Sequence, residues 1–261
     1  MTRSVAIIGL GSRGLGVLER IVALAAGQII IHVIDPACTG AGVHDPGQPD
    51  YLLLNTTCGQ VSMFPGQLSV GAATAGRGPN LHEWAMARGL RMAADGFSLG
   101  PAGRELKATD FLPRRLLGEY LSWFYAQVKR HLPDHVRLVE HRTEAEDIDT
   151  GPAGLVITLA DGTAFGTDFT FLTTGYTPNA STPNPSTPNT STSAPRLIAE
   201  PYPLPERLAA IAPGQTVAVG GFGLSAMDAV SCLTVGRGGR FRRDQGDVGY
   251  EPSGREPRIV M

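Results

Sequence analysis

The sequence predicts an α/β fold: a three-layer domain over residues 1–177, a polar linker at 178–195, and a second, incomplete unit of the same kind over 196–261. Three observations carry this. Residues 4–35 read as strand, glycine turn, helix and strand within about thirty residues, which is a βαβ unit. Residues 217–233 begin the same succession again. The apolar runs concerned are short and β-branched, as in strands of a parallel sheet buried on both faces.

The first strand is Val5-Ala6-Ile7-Ile8. After the glycines, Leu15, Leu18, Val22 and Ala25 recur at helical spacing within Leu15 to Ala26, with Glu19 and Arg20 on another face. Ile29 to Ile34 is the second strand. From Pro36 to about Gly103 the chain is rich in Gly, Pro and Ala and carries one short helix, Leu81 to Arg88. A longer helix runs from Pro113 to His131, with Leu116, Leu117, Tyr120, Leu121, Phe124 and Val128 on one side. Val136 to Val139 is a strand. Leu155 to Leu159, Asp161-Gly162 and Phe165 to Thr173 read as a hairpin followed by a further buried strand, since Asp-Gly supplies the positive φ of a tight turn. Residues 178–195 are almost wholly Pro, Asn, Ser, Thr and Ala, too little apolar surface to offset ordering, so the segment reads as disordered. Beyond it come the strand Val217-Ala218-Val219, a helix through Leu233, a glycine- and arginine-rich tail, and a strand starting at Ile259.

Composition narrows the function classes. The net charge is −2, from 22 basic and 24 acidic residues, which leaves no basic footprint for nucleic acid and no polybasic membrane patch. No stretch reaches the ~18 apolar residues of a membrane helix. The N-terminal apolar run breaks at Ser12-Arg13, too soon for a signal peptide. Cys38, Cys58 and Cys232 are scattered, without a CxxC, which argues against a disulfide scaffold, a zinc knuckle or a thiol–disulfide centre. A cytoplasmic protein acting on a small molecule is the expectation. Glycine, at 33 of 261 residues, exceeds the ~7% of ordinary usage, and with no collagen-like period it marks turns and close approaches.

The chemistry lies in Gly9-Leu10-Gly11-Ser12-Arg13-Gly14, which follows a strand and opens a helix, with Asp35 ending the next strand 21 residues after Gly14. That is the dinucleotide-binding fingerprint of a Rossmann-like unit. Gly9 permits the turn, Gly11 lets a pyrophosphate approach the backbone, and Gly14 allows close helix–strand packing. The helix amides face the anion, and Asp35 accepts from an adenosine ribose. Gly221-Phe222-Gly223-Leu224-Ser225-Ala226 repeats the pattern about 210 residues later, with Ala in the third place, which the fingerprint tolerates. Two such units imply a relay in which a nicotinamide reduces a flavin.

The segments VAIIGLGSRGLGVLERI, YLLLNTTCGQVSMF at 51–64, FLPRRLLGEYLSWF at 111–124, FLTTGY at 171–176, GGFGLSAMDAV at 220–230 and YEPSGREPRI at 250–259 resemble the bacterial FAD/NAD(P)-binding oxidoreductases with two dinucleotide-binding domains. The branch is one with a GxRG turn, distantly similar to N-hydroxylating flavin monooxygenases. The resemblance implies that Gly9, Gly11 and Gly14 hold the FAD pyrophosphate and Asp35 its ribose, with Ser12 and Arg13 of the same turn among the candidate cofactor-binding residues. It implies further that Asn55 lies near the flavin ring, that Thr174-Gly175 is the ATG-like turn passing close to FAD, and that Gly221, Gly223, Ser225 and Ala226 receive NAD(P)H. Thr stands where Ala is common in the ATG-like turn, and Ser12 where Pro or Ala is usual. Relatives continue well beyond this length, so the second unit is expected to be cut short.

Other residues read more plainly. Arg13 meets a phosphate or is a solvated helix start. Arg114 and Arg115 read as a solvated helix face, His44 and His82 as solvated loop histidines, and Arg237, Arg240, Arg242 and Arg243 as a solvated basic loop. Trp84, Trp123 and Tyr120 read as core, and Asn179 and Asn189 as chance glycosylation triplets. No Ser-His-Asp, HExxH or paired-carboxylate pattern stands out. The leading function is an FAD-dependent, NAD(P)H-linked oxidoreductase, with monooxygenation of a small molecule the reaction the resemblance implies. A dinucleotide-binding fragment or partner subunit without turnover, and a single-site NAD-dependent dehydrogenase, are the alternatives.

Overall fold

The computed structural model describes residues 2–65, 78–93, 96–99, 101–151, 154–175, 197–244 and 247–261. The expected linker at 178–195, with Asn179 and Asn189, lies outside them.

The opening apolar run forms β1 (Arg3–Ile8), followed by α1 (Ser12–Leu24) and β2 (Ile29–Ile34). The short helix is α2 (Leu81–Ala87), and Asn80 starts it with a capping box, its side chain accepting from the Glu83 amide while Glu83 reaches back. Next come β3 (Leu90–Ala93), β4 (Gly96–Leu99), β5 (Arg104–Glu105), α3 (Arg114–Arg130) and β6 (Val136–His141). A meander follows, β7 (Ala145–Gly151), β8 (Gly154–Leu159) and β9 (Ala164–Thr167), and then β10 (Phe169–Leu172). Gly162, in the turn between β8 and β9, has φ +82°, as the Asp-Gly pair predicts. The last elements are β11 (Thr216–Ala218), α4 (Leu224–Leu233), the hairpin β12 (Arg240–Asp244) and β13 (Asp247–Glu251), and β14 (Arg258–Val260).

β10, β1, β2 and β6 form a parallel sheet in that order. On one face Ile7, Ile31 and Val33 pack with Leu15 and Leu18 of α1 and with Leu121, Phe124 and Val128 of α3. On the other, Ala6, Ile8 and Ile34 meet Ile157 and Leu159 of the meander. Helices, parallel sheet and meander are the three expected layers. β11 and β14 pair in parallel, so the second unit is also strand–helix–strand, with the β12–β13 hairpin inserted. It rests on the first through Leu52, which is buried with Leu204, Leu208 and Leu233.

Three expectations fail. Among the described residues β10 is an edge strand, not a buried one: it pairs there with β1 alone, and Phe169, Phe171 and Leu172 are 50%, 42% and 67% exposed. A run of Phe and Leu reads the same whether or not a neighbour covers it. The loop-rich stretch also holds the small antiparallel sheet β4-β3-β5, and the tail holds a hairpin.

Candidate nucleotide-binding site

At the end of β1 the chain must reverse into α1 within three residues, and two other elements crowd the same place. Gly9 has φ +91°, and a Cβ there would stand 2.7 Å from the Thr173 carbonyl oxygen. A Cβ on Gly14 would stand 2.2 Å from the Gly9 oxygen. No side chain but hydrogen fits either position. Hydrogen bonds tie the turn down. The Gly9 amide donates to Ile34 O at 2.8 Å, and the Thr173 amide to Ile8 O at 2.8 Å. The Thr173 hydroxyl lies 2.6 Å from Gly9 O and 3.0 Å from Ile8 O.

Gly11 is different. Its backbone is extended, and a Cβ there would meet only the Cα of Gly42, at an ordinary 3.6 Å. Gly11 is also the N-cap of α1, without a capping side chain and without an acidic residue in the first turn. The first helical bond runs from Leu15 N to Gly11 O, 2.9 Å, so the amides of Ser12, Arg13 and Gly14 precede the ladder. Those amides and the helix dipole favour an anion. Ser12 and Arg13 are exposed.

Asp35 directly follows β2 beside this turn. Its Oδ2 accepts from the Leu10 amide at 2.9 Å, and its Oδ1 from the Ala37 and Cys38 amides at 3.0 and 2.8 Å. An ionised carboxylate offers about four acceptor sites, so capacity remains for a hydroxyl. The loop that follows folds back over the turn. Gly42, at φ +57°, comes so near that its Cβ would stand 2.9 Å from Gly11 Cα. Gly40, at φ +84°, is wedged against Tyr125 and Leu15.

The structure thus brings together Gly9, Gly11, Gly14, Asp35 and Thr174, whose Cα would lie 2.9 Å from a Gly9 Cβ. Gly175 has φ +80°, and among the described residues nothing lies within 4 Å of a Cβ there. Asn55 is exposed in the loop between β2 and α2, 3.5 Å from the Thr56 hydroxyl, and among the described contacts none joins it to the glycine turn. Thr173 and Gly42 escaped sequence reading. The doubled threonine before Gly175 and the Gly40-Ala41-Gly42 spacing were the available signals.

The second turn has the same sequence logic and a looser setting. Gly221 has φ +121°, Gly223 is the uncapped N-cap of α4, and among the described residues nothing lies within 4 Å of a Cβ on either. Ala226 is buried and Ser225 exposed, and Phe222 between the glycines is 79% exposed.

The arginines and histidines depart from expectation. Arg114 is no solvated helix face, because it is ion-paired with buried Asp228 at 2.5 Å. Arg115 pairs with Asp50 and with Glu119. Arg237 donates to the carbonyls of Leu208, Ile211 and Arg255, so the basic loop is in part a structural clasp. His44 is part-buried, and that burial, reinforced by Arg114, pushes its imidazole pKa down. His82 bonds Leu106 O at 3.1 Å. The cysteines are all buried as free thiols, and burial pushes each pKa up. Among the described residues no helix is long and apolar enough to cross a membrane.

A sequence profile described as FAD–NAD(P)-binding matches residues 6–177. The chain belongs to this FAD–NAD(P)-binding family. It is 34% identical to the nitrosuccinic acid synthase npaA of Aspergillus oryzae and 35% identical to an L-aspartate N-monooxygenase (nitrosuccinate-forming) of Streptomyces cremeus. Each alignment covers 98% of this chain, but 39% and 41% of the relative. The chain therefore spans about two fifths of the length of the curated relatives it matches. A flavin-containing monooxygenase from Stenotrophomonas maltophilia is similar in structure, with a TM-score of 0.40 and 18% identity over 68% of this chain and 41% of that one. FAD and NAD(P)H are the cofactors of such a family member. The residues of the first turn fit a dinucleotide: Gly9 and Gly14 are crowded by backbone, Gly11 has room beside it, and the amides of Ser12, Arg13 and Gly14 precede the helical ladder near the Asp35 carboxylate.

Proposed function

We propose that this chain carries the nucleotide-binding part of an FAD-dependent, NAD(P)H-linked N-monooxygenase acting in the cytoplasm on a small amino acid such as aspartate. On this reading residues 1–177 form the FAD unit and 196–261 belong to the NAD(P)H unit. The observation that carries the reading is the uncapped first turn of α1, held open at Gly11 by backbone contacts at Gly9 and Gly14. The likeness to aspartate N-monooxygenases along 98% of the chain supports the substrate class.

Residue roles follow from the geometry. The amides of Ser12, Arg13 and Gly14 would bind the diphosphate of FAD, with exposed Arg13 adding charge at its edge. Asp35 would hold the ribose through its remaining acceptor sites, while its bonds to Leu10, Ala37 and Cys38 keep the carboxylate aimed. Thr174-Gly175 would pass beside the cofactor and Asn55 would orient the flavin edge. Gly221, Gly223, Ser225 and Ala226 would hold NAD(P)H at the start of α4. When bound, FAD supplies the redox and dioxygen chemistry that no side chain here can perform. A thiol–disulfide reductase is disfavoured because the three thiols are separate and buried.

The test is to titrate the purified chain with FAD and follow flavin fluorescence, then to measure NAD(P)H oxidation with and without L-aspartate. The reading expects saturable one-to-one FAD binding and faster oxidation with the amino acid present. Absence of FAD binding would refute it.

A further inference from the structure

The geometry points to Arg114, Asp228 and Tyr202 as a clamp that sets where the second glycine turn stands relative to the first, and so as positioning residues for electron transfer between the two nucleotides. This rests on the proposed reading of both turns as nucleotide sites.

Asp228 lies on α4, the helix that begins at the second glycine turn, and its side chain is only 8% exposed. Arg114 starts α3 of the first unit and approaches the Asp228 Oδ2 to 2.5 Å, with a side chain 17% exposed. The Tyr202 hydroxyl donates to the same oxygen. Among the described residues this is the one ion pair joining residues 2–175 to residues 197–261. Arg114 is itself fixed on the first unit: its Nε donates to Leu53 O at 3.1 Å and its amide to Leu52 O at 2.8 Å. Those carbonyls belong to the strip that leads directly to Asn55.

A buried ion pair is a poor way to gain stability, because desolvating two charges cancels most of their attraction. Apolar residues of similar volume would hold the units together as well or better. Leu52, Leu204, Leu208 and Leu233 already do this beside it. Apolar contact is non-directional, however, and tolerates sliding. A carboxylate shared between a guanidinium and a phenol fixes distance and angle at once. The pair thus supplies alignment where the neighbouring cluster supplies adhesion. Alignment is what transfer between two bound nucleotides needs, since a misplacement of 1 Å can cost about a hundredfold in rate.

The experiment uses the full chain in two arms. In the first, Asp228→Asn and the apolar double substitution Arg114→Met/Asp228→Leu are followed by hydrogen exchange without nucleotides. The clamp predicts that amides of 224–233 and 52–54 exchange about tenfold faster in Asp228→Asn while β1 and α1 keep their protection. Unchanged exchange in α4 would overturn it. In the second arm, anaerobic stopped-flow measures flavin reduction by NAD(P)H in the double substitution, whose melting temperature should stay near that of the parent chain. The expected result is a fall of about tenfold or more in the reduction rate, with FAD and NAD(P)H affinities within a factor of about two. An unchanged rate would overturn the positioning role. If the parent chain binds FAD but NAD(P)H does not reduce it, the reading of the second turn fails instead, and the clamp is decided by the exchange arm.

Discussion

The two glycine turns carry nearly the same sequence pattern and sit in opposite surroundings. Around the first, β1, β10 and α1 converge so tightly that a Cβ on Gly9 or Gly14 would overlap backbone. Around the second, no atom of the described residues lies within 4 Å of a Cβ on Gly221 or Gly223. The difference separates two demands that a glycine fingerprint merges, close packing of the fold and close approach of a ligand. In the first turn Gly9 and Gly14 answer to packing, which leaves Gly11, on the proposed reading, to answer to the ligand. In the second, the positive φ of Gly221 is the one backbone reason for a glycine.

The sharpest way to break this contrast is to add one methyl group to each turn. Gly14→Ala should cost about 3 kcal/mol or more, because the overlap is with the rigid Gly9 carbonyl. Gly223→Ala, in open space at an N-cap, should cost within about 1 kcal/mol. Urea unfolding of the two variants measures the gap, and equal costs would dissolve the distinction. A smaller effect is expected at the anchor of the first turn. Thr173→Val keeps the shape and removes the hydroxyl that bonds Gly9 O and Ile8 O, so a loss of about 1–2 kcal/mol is expected, with weakened FAD binding, by the same unfolding assay and a flavin titration.

The smallest effect concerns acid. His32 of β2 and His141 of β6 share a hydrogen bond of 2.9 Å, and both stack on Phe165 of the meander. Burial first, then the His141 charge and Arg137, lowers the His32 pKa. Burial lowers that of His141 too, against the pull of Asp161. Both pKa values in the folded chain therefore lie below the ordinary 6.5. The unfolded chain takes up protons first as pH falls, so stability is level above that value and declines below it, until the folded pKa values are passed. Melting temperatures between pH 7.5 and 5 should show this decline, and His141→Gln should flatten it. A decline of unchanged slope in that variant would assign the acid sensitivity elsewhere.

Much of the first unit was legible. Strand, turn and helix from Val5 to Leu24 follow from apolar periodicity and glycine chemistry, and the Asp-Gly hairpin from its turn. β7 escaped because Glu146, Asp147 and Asp149 give a solvent-exposed strand the composition of a loop. The exposure of β10 escaped because period and composition say nothing about the missing neighbour. At the site, the fingerprint glycines and Asp35 were readable because their spacing is local. Gly42 and Thr173 were not, since each acts through a partner far along the chain. Arg114 shows the same limit most clearly: two arginines at a helix start look solvated until Asp228, more than a hundred residues later, is placed beside them.

The central claim is that the amides following Gly11 grip a flavin dinucleotide, and Gly11→Ala tests it alone. The substituted Cβ would make an ordinary 3.6 Å contact in a permitted backbone conformation, so the empty protein should lose no more than about 1 kcal/mol. On the proposed reading, the methyl group would nevertheless stand where the diphosphate comes close. Titration with FAD should show affinity reduced about a hundredfold or more, roughly one lost charge-assisted contact, with stability nearly intact. FAD bound as tightly by Gly11→Ala as by the parent chain would contradict the account.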